Sequence, residues 1–238
     1  MGKRLITQRR GRGTFAYKAH SHRYKGSIKN VLSKENLKGE VIDIIKCPGH
    51  TAPLVKINYE NGEQILMPAP TKIKIKDEVS IGENVPIKNG NILPLKNIPE
   101  GTIIYNIESK PGKPTFCRSA GSFARVISRS SKNVMIKFTS KKERSFNSEC
   151  RATIGVAAGG GKRDKPFVKA GKKWHIMHAK GKLYPRTSGV AMNAVDHPFG
   201  SGRGRHVGKS KIPPKHAPPG RNIGLLRPRK TGRGGKKG

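Results

Sequence analysis

"PLVKINYENGEQILMPAP", residues 53–70, decides the fold class. Two apolar, β-branched runs flank Glu60-Asn61-Gly62. Asn-Gly between such runs is the strongest short hairpin signal a sequence carries, because both central positions of a type I′ turn need positive φ. Outward from this hairpin the pattern stays β. "EVIDIIK" (40–46) precedes it, and "KIKIK" (72–76) and "VSI" (79–81) follow before Gly82. Four to five strands in so short a span suit a small barrel. An OB-like topology fits, although periodicity alone does not separate it from another small barrel.

"KNGN" (88–91) marks a boundary, and a second strand set follows. It runs "ILPL" (92–95), "TIIYNIE" (102–108), "FARVISR" (123–129), "NVMIKF" (133–138) and "ATIGVAA" (152–158). Five short strands with tight turns are what an SH3-like barrel needs. Alternation in 122–130 puts Phe123, Arg125, Ile127 and Arg129 on one face and Ala124, Val126 and Ser128 on the other. After Gly159 the strand signal stops, and one short helix is expected near 170–175. The expected organisation is therefore mainly β. It comprises a basic N-terminal arm (1–36), an OB-fold domain (37–88), an SH3-like barrel with an irregular basic C-terminal part (89–188), and an extended basic tail (189–238).

Charge follows the same divisions. The chain carries 50 Lys and Arg against 14 acids, a net charge of +36. Residues 1–40 hold 11 basic and 2 acidic side chains, and residues 41–117 hold 9 and 8. Residues 118–164 hold 11 and 3, and residues 165–238 hold 19 and 1. A compact chain with that charge repels itself unless it meets a polyanion, and the segregation points to nucleic acid. The ends bind and the middle folds. Gly11, Gly13 and Gly26 sit in the N-terminal arm beside Phe15, Tyr17 and Tyr24, aromatics that can stack on bases.

Several chemistries are disfavoured. Cys47, Cys117 and Cys150 are odd in number and far apart, so a reducing cytoplasm is expected rather than a disulfide framework. No apolar run approaches the roughly 18 residues of a membrane span, and "MGKRLI" reads neither as a signal peptide nor as a myristoylation site. "GGGK" (159–162) is no P-loop, since the motif's first glycine would fall on Val156 and its Ser or Thr on Arg163. Cys47 and His50 in "CPGH" have ligand-like spacing but no second pair, so no metal site is expected. An enzyme would have to work through Asp196–His197, with the carboxylate raising the basicity of the imidazole. The same residues followed by Pro198 read as a turn, with the carboxylate capping backbone amides.

At "GVAMNAVDHPFGSGRGRH" (189–206) the chain resembles the universal second protein of the large ribosomal subunit (the L-two family), in its archaeal form. "PGKPTFCRSAGSFARVI" (111–127), "ECRATIGVAAGG" (149–160), "KWH" (173–175) and the closing "PPGRNIG" and "TGRGG" carry the same resemblance. Phe199 stands where bacterial members have a second histidine, Ala194 where they often have proline, and Ser201 interrupts a glycine run.

The resemblance implies an OB-fold followed by an SH3-like barrel, both seated on large-subunit ribosomal RNA. It implies a primary RNA-binding role in assembly, support of subunit association, and help in tRNA binding and peptide-bond formation by the RNA. The implied partners are that RNA, neighbouring ribosomal proteins and the small subunit across the interface, with no membrane and no small-molecule substrate. No cofactor is expected beyond RNA-associated Mg²⁺ or K⁺. His197 matches the family's histidine near the catalytic centre, in a supporting role.

The candidate RNA contacts are Arg9, Arg10 and Arg12 in the arm, and Arg118, Arg125 and Arg129 in the second strand set. Further along they are Lys162, Arg163, Lys172, Lys173, Trp174 and His175. In the tail they are Asn193, His197, Arg203, Arg205, His206, Lys209, Arg221, Arg227 and Arg229. Asp196, Pro198, Gly200, Gly202 and Gly204 are the expected turn residues.

Overall fold

A computed structural model describes residues 2–31, 36–162, 164–202, 206–207 and 214–218. The chain is mainly β, as its alternation requires. It divides into two compact units, residues 21–168 and residues 1–20 together with 169–238.

In the unit of 21–168, β1 (Leu37–Ile45), β2 (Leu54–Tyr59), β3 (Gln64–Pro68) and β4 (Glu78–Ile81) come from the first strand set. The second set supplies β5 (Ile92–Pro94), β6 (Ile103–Tyr105), β7 (Ile107–Lys110) and β8 (Lys113–Phe116). It continues with β9 (Ala124–Arg129), β10 (Asn133–Phe138), β11 (Glu143–Asn147) and β12 (Arg151–Ile154). Ten strands hydrogen-bond in the order β11-β10-β9-β6-β12-β5-β4-β1-β2-β3, and β7-β8 form a separate hairpin. The one parallel pairing among them, Ile81 opposite Ile92, joins the two sets.

The hairpin at 53–70 is present, with β2 and β3 antiparallel from Leu54–Pro68 to Asn58–Gln64. Its turn is not type I′. Gly62 alone has positive φ (80°), Gly62 N–H donates to the Tyr59 carbonyl at 2.8 Å, and Tyr59 N–H donates to the Glu63 carbonyl at 3.0 Å. This is a three-residue loop closed by a left-handed glycine, and the Asn61 side chain accepts the Glu63 N–H at 3.0 Å. "KIKIK" is not a strand. Lys72 and Lys76 have positive φ (65° and 72°), and the Asp77 carboxylate accepts the Lys74 N–H at 2.7 Å, so the segment turns back on itself. "TIIYNIE" is split, because Asn106 (φ 51°) lies between β6 and β7. β8 and β11 were not expected: Pro114 and the polar run 143–145 hide the alternation.

Two apolar clusters form the core. One gathers Val41, Ile57, Met67, Val79 and Ile81, and takes in Ile92 and Tyr105 from the second set. The other gathers Ile98, Ile104, Val126, Val134, Ile136 and Phe146. Each such side chain, fully buried, contributes about 1.5–3 kcal/mol. The expected alternation in β9 holds for 124–127, with Ala124 and Val126 buried and Arg125 and Ile127 outward, but a register shift against β10 leaves Ser128, expected beside Val126, exposed along with Arg129. A satellite cluster of Ile28, Cys47 and Leu54 packs Tyr24 against it, so that ring is committed to the fold. The three cysteines are free thiols. Burial pushes the half-buried Cys117 thiol up to about 11, which leaves it neutral and a poor nucleophile near pH 7.

In the other unit the helix runs longer than expected, over α1 (Ala170–Ala179). A 3₁₀ segment (Ile6–Arg12) ends at Gly13, and Tyr17 OH donates to the Ile6 carbonyl at 3.1 Å. The Lys3 N–H donates to the Val195 carbonyl at 2.9 Å, tying the arm to the 189–200 turn.

Candidate nucleic-acid interface

In the unit of residues 1–20 and 169–238, the Asp196–His197 turn is built by backbone. The Asn193 carbonyl accepts N–H bonds from Asp196 (3.0 Å) and His197 (3.1 Å). The turn then closes through Gly200 N–H on the His197 carbonyl (2.9 Å) and Ser201 N–H on the Met192 carbonyl (3.1 Å). A Cβ at Gly200 would collide with the carbonyls of Met192 and Asn193, so the crossing needs a glycine. Pro198 lies half-buried inside this turn, and Gly202 has positive φ (118°).

Among the described residues the Asp196 carboxylate caps no amide. It pairs with Lys3 Nζ at 3.2 Å. His197 has other business: its Nδ1 accepts the Phe199 N–H at 3.1 Å, and the two rings lie 4.8 Å apart. In that contact the imidazole Nδ1 acts as a hydrogen-bond acceptor. Gly189 sits against the imidazole face, where a Cβ would strike the ring atoms. Gly189→Ala should displace the ring and cost about 1–3 kcal/mol locally. Faster hydrogen exchange at the Phe199 amide would report it, and wild-type protection there would refute the packing argument.

On α1 and nearby, Trp174 stacks on His178 (4.7 Å, 12°) and meets His175 edge-on (4.9 Å). Trp174 stays 41% exposed, enough for further contact. His178 reaches His20 at 4.5 Å, and Lys173 Nζ lies 5.1 Å from the Tyr184 ring centroid. Lys172 and His175 are exposed. Arg9, Arg10 and Arg12 lie in the 3₁₀ segment, also exposed, and Phe15 nearby is 86% exposed. Asn193 and His206 are exposed in turn and tail.

In the unit of 21–168, Arg118 and Arg125 are exposed, and the Arg129 guanidinium donates to the Lys96 carbonyl at 3.1 Å. Lys162 follows the glycine loop, its Nζ 3.4 Å from the Thr51 carbonyl. Arg163, Arg203, Gly204, Arg205, Lys209, Arg221, Arg227 and Arg229 lie outside the described residues.

The ion pairs seen among the described residues engage Lys3, Lys96 and Lys137. Lys96 lies between Glu83 and Glu149, whose hydrogen bonds raise its pKa. Arg9, Arg10, Arg12, Arg118, Arg125, Lys162 and Lys172 have no carboxylate partner among the described residues. Cys47 Sγ and His50 Nδ1 are 3.1 Å apart, yet no group of three or more His, Cys, Asp or Glu among the described residues forms a metal site. No described helix is long and apolar enough to cross a membrane. Sequence reasoning missed Lys3, the partner of Asp196, because nothing local links residues so far apart in the chain.

A family model for ribosomal proteins L2, C-terminal domain, matches residues 88–217. The large ribosomal subunit protein uL2 of Methanothermobacter thermautotrophicus is 49% identical, over 98% of this chain and 99% of its own length. Those of Methanobrevibacter smithii and Methanocaldococcus jannaschii are 48% and 46% identical, each over 98% of this chain and 99% of its own. Identity near one half over almost the full length, with relatives from archaea, has one meaning: the chain belongs to the L2 (uL2) family of ribosomal proteins.

Proposed function

We propose that this chain is a structural constituent of the large ribosomal subunit. It binds the subunit's RNA directly, supports assembly and subunit association, and assists tRNA binding and peptide-bond formation carried out by the RNA. One observation carries the reading: exposed arginines and lysines in both units without carboxylate partners, in a chain of net charge +36. Such cations gain their partners from phosphates and release counterions on binding.

Arginines 9, 10, 12, 118, 125 and 129, with Arg163, Arg203, Arg205, Arg221, Arg227 and Arg229, take phosphates with planar, paired donors. Lysines 162, 172, 173 and 209 act as point charges. Trp174 and His175 offer ring faces, and Asn193, His197 and His206 offer hydrogen bonds. In this reading the modules are an OB-fold (37–88) and an SH3-like barrel (89–188), with an arm (1–36) and a tail (189–238) that enter the RNA. Two apolar clusters favour two modules, although the first cluster borrows Ile92 and Tyr105 from the second set. The protein works in the cytoplasm, inside the ribosome, beside other ribosomal proteins and the small subunit. Any Mg²⁺ or K⁺ at the interface is held mainly by RNA.

In this reading the protein is not an enzyme, and the peptide-bond chemistry belongs to the RNA. The test is comparative binding by the full chain at fixed salt. Large-subunit RNA should bind about 10³-fold or more tighter than duplex DNA, the usual scale of specific over non-specific binding. Equal affinities would instead describe a histone-like architectural protein. RNA-independent turnover by the purified chain, abolished by His197→Ala, would overturn the non-enzymatic reading.

A further inference from the structure

Within the unit of residues 1–20 and 169–238, residues 3–9 and the 183–197 stretch line an open cleft of about 760 Å³. Its lining is of three kinds. Leu183, Pro185 and Met192 provide an apolar wall. Thr187, Ser188 and Asn193 provide neutral donors and acceptors, and Arg4, Arg9 and Arg186 provide guanidinium groups. The carboxylate in the lining, Asp196, is paired with Lys3 at 3.2 Å. None of the three arginines has a carboxylate within ion-pairing distance among the described residues.

Those three kinds of surface match the three parts of one ligand class, a nucleoside phosphate. A base lies on the apolar wall, ribose hydroxyls meet the neutral polar groups, and phosphates meet the arginines. A bare anion would leave the apolar wall unused, and an apolar ligand would make no use of the three exposed arginines. The volume falls in the range of small-ligand cavities, roughly 300–1,000 Å³, which suits one residue of a polynucleotide and excludes a stacked duplex.

We infer that this cleft receives a single unpaired nucleotide of the bound RNA, turned out of its stack. The inference rests on the RNA-binding reading and adds a selection rule to it. Charge alone attracts any phosphate backbone, whereas the cleft favours RNA that offers a bulged or looped residue, for which unstacking costs least. His197 also lines the cavity. An inserted nucleotide therefore bears directly on the turn that holds this imidazole.

The test uses the full chain and two RNA hairpins, one fully paired and one carrying a single bulged 2-aminopurine. The bulged hairpin should bind about tenfold tighter, the scale of stacking one base on a protein surface, with a change in 2-aminopurine fluorescence. Ala191→Phe adds bulk at an exposed position in the lining and removes no charge. It should bring the bulged hairpin down to the affinity of the paired one. Arg186→Gln should weaken the bulged hairpin more than the paired one, and it adds no bulk that could disturb folding. Equal affinity of the two hairpins, or a preference that survives in both variants, would overturn the cleft assignment while leaving RNA binding intact. Failure to bind either hairpin would overturn the RNA-binding reading itself. Saturable binding of free AMP that the bulged RNA does not displace would assign the cleft to a mononucleotide instead.

Discussion

Between about 50 and 200 mM monovalent salt, the affinity of the full chain for large-subunit RNA should fall by about 10³–10⁵. That loss corresponds to neutralising roughly six to ten phosphates, each contributing about −0.9 to the slope of log K against log salt on a duplex. The chain has the cations for it. Arg9, Arg10, Arg12, Arg118, Arg125, Lys162 and Lys172 are exposed and lack carboxylate partners among the described residues. Each substitution of a contacting cation by glutamine should reduce the slope by about one phosphate, and Arg9→Gln, Arg10→Gln and Arg12→Gln together by about three. Lys137 is the internal control, because Glu143 holds it at 3.4 Å and Lys137→Gln should leave the slope nearly unchanged. A slope near zero, measured by filter binding or fluorescence titration, would mean that charge is not what holds this chain on RNA.

How much of this was legible in the sequence depends on the range of the interaction that decides each feature. The hairpin at 53–70 was legible because turn and strands are local. Its turn type was not, since Asn-Gly fits both a two-residue loop and the observed three-residue loop closed by Gly62. In 72–76 alternation misled: lysine and isoleucine alternate in a surface loop whose Ile75 is exposed, and the Asp77 carboxylate decides the path. Strand β11 escaped because an edge strand with one buried residue, Phe146, shows little periodicity. Helix α1 was seen but shortened, for it buries no residue and has no apolar stripe to measure.

The candidate interface divides in the same way. Segregation of charge is a property of composition along the chain, so the cationic surfaces could be read directly. Pairing is a property of space. Asp196 turns to Lys3, His197 turns to Phe199, and the cavity takes Arg4 from one end of the chain and Arg186 from the other. Nothing between those residues in sequence marks them as neighbours.

Glu108→Ala should lower folding stability by about 3–5 kcal/mol, through two lost hydrogen-bond acceptors and a cavity at a fully buried position. Glu108 is completely buried on β7. Its Oε1 accepts from the Asn30 side-chain amide at 2.7 Å, and its Oε2 accepts from the Arg151 backbone N–H at 2.9 Å. Asn106 donates to Asn30 Oδ1 at 3.4 Å, and the Arg151 guanidinium donates to the Val31 carbonyl at 2.5 Å. One carboxylate thus ties the segment around 30–31 to β7 and β12. Alanine would strand the buried Asn30 amide, at about 1–3 kcal/mol, weaken the tie to the part-buried Arg151 N–H, and leave a cavity besides. Glu108→Gln keeps one acceptor but turns an amide NH₂ toward another donor, so its cost should be smaller, about 1–3 kcal/mol. Against a typical domain stability of roughly 5–15 kcal/mol, the alanine variant loses a large share of its margin. Denaturant unfolding of the full-length variants checks the ranking, wild type above glutamine above alanine. An alanine variant as stable as wild type would show that the buried carboxylate is not what anchors the N-terminal segment to the strands.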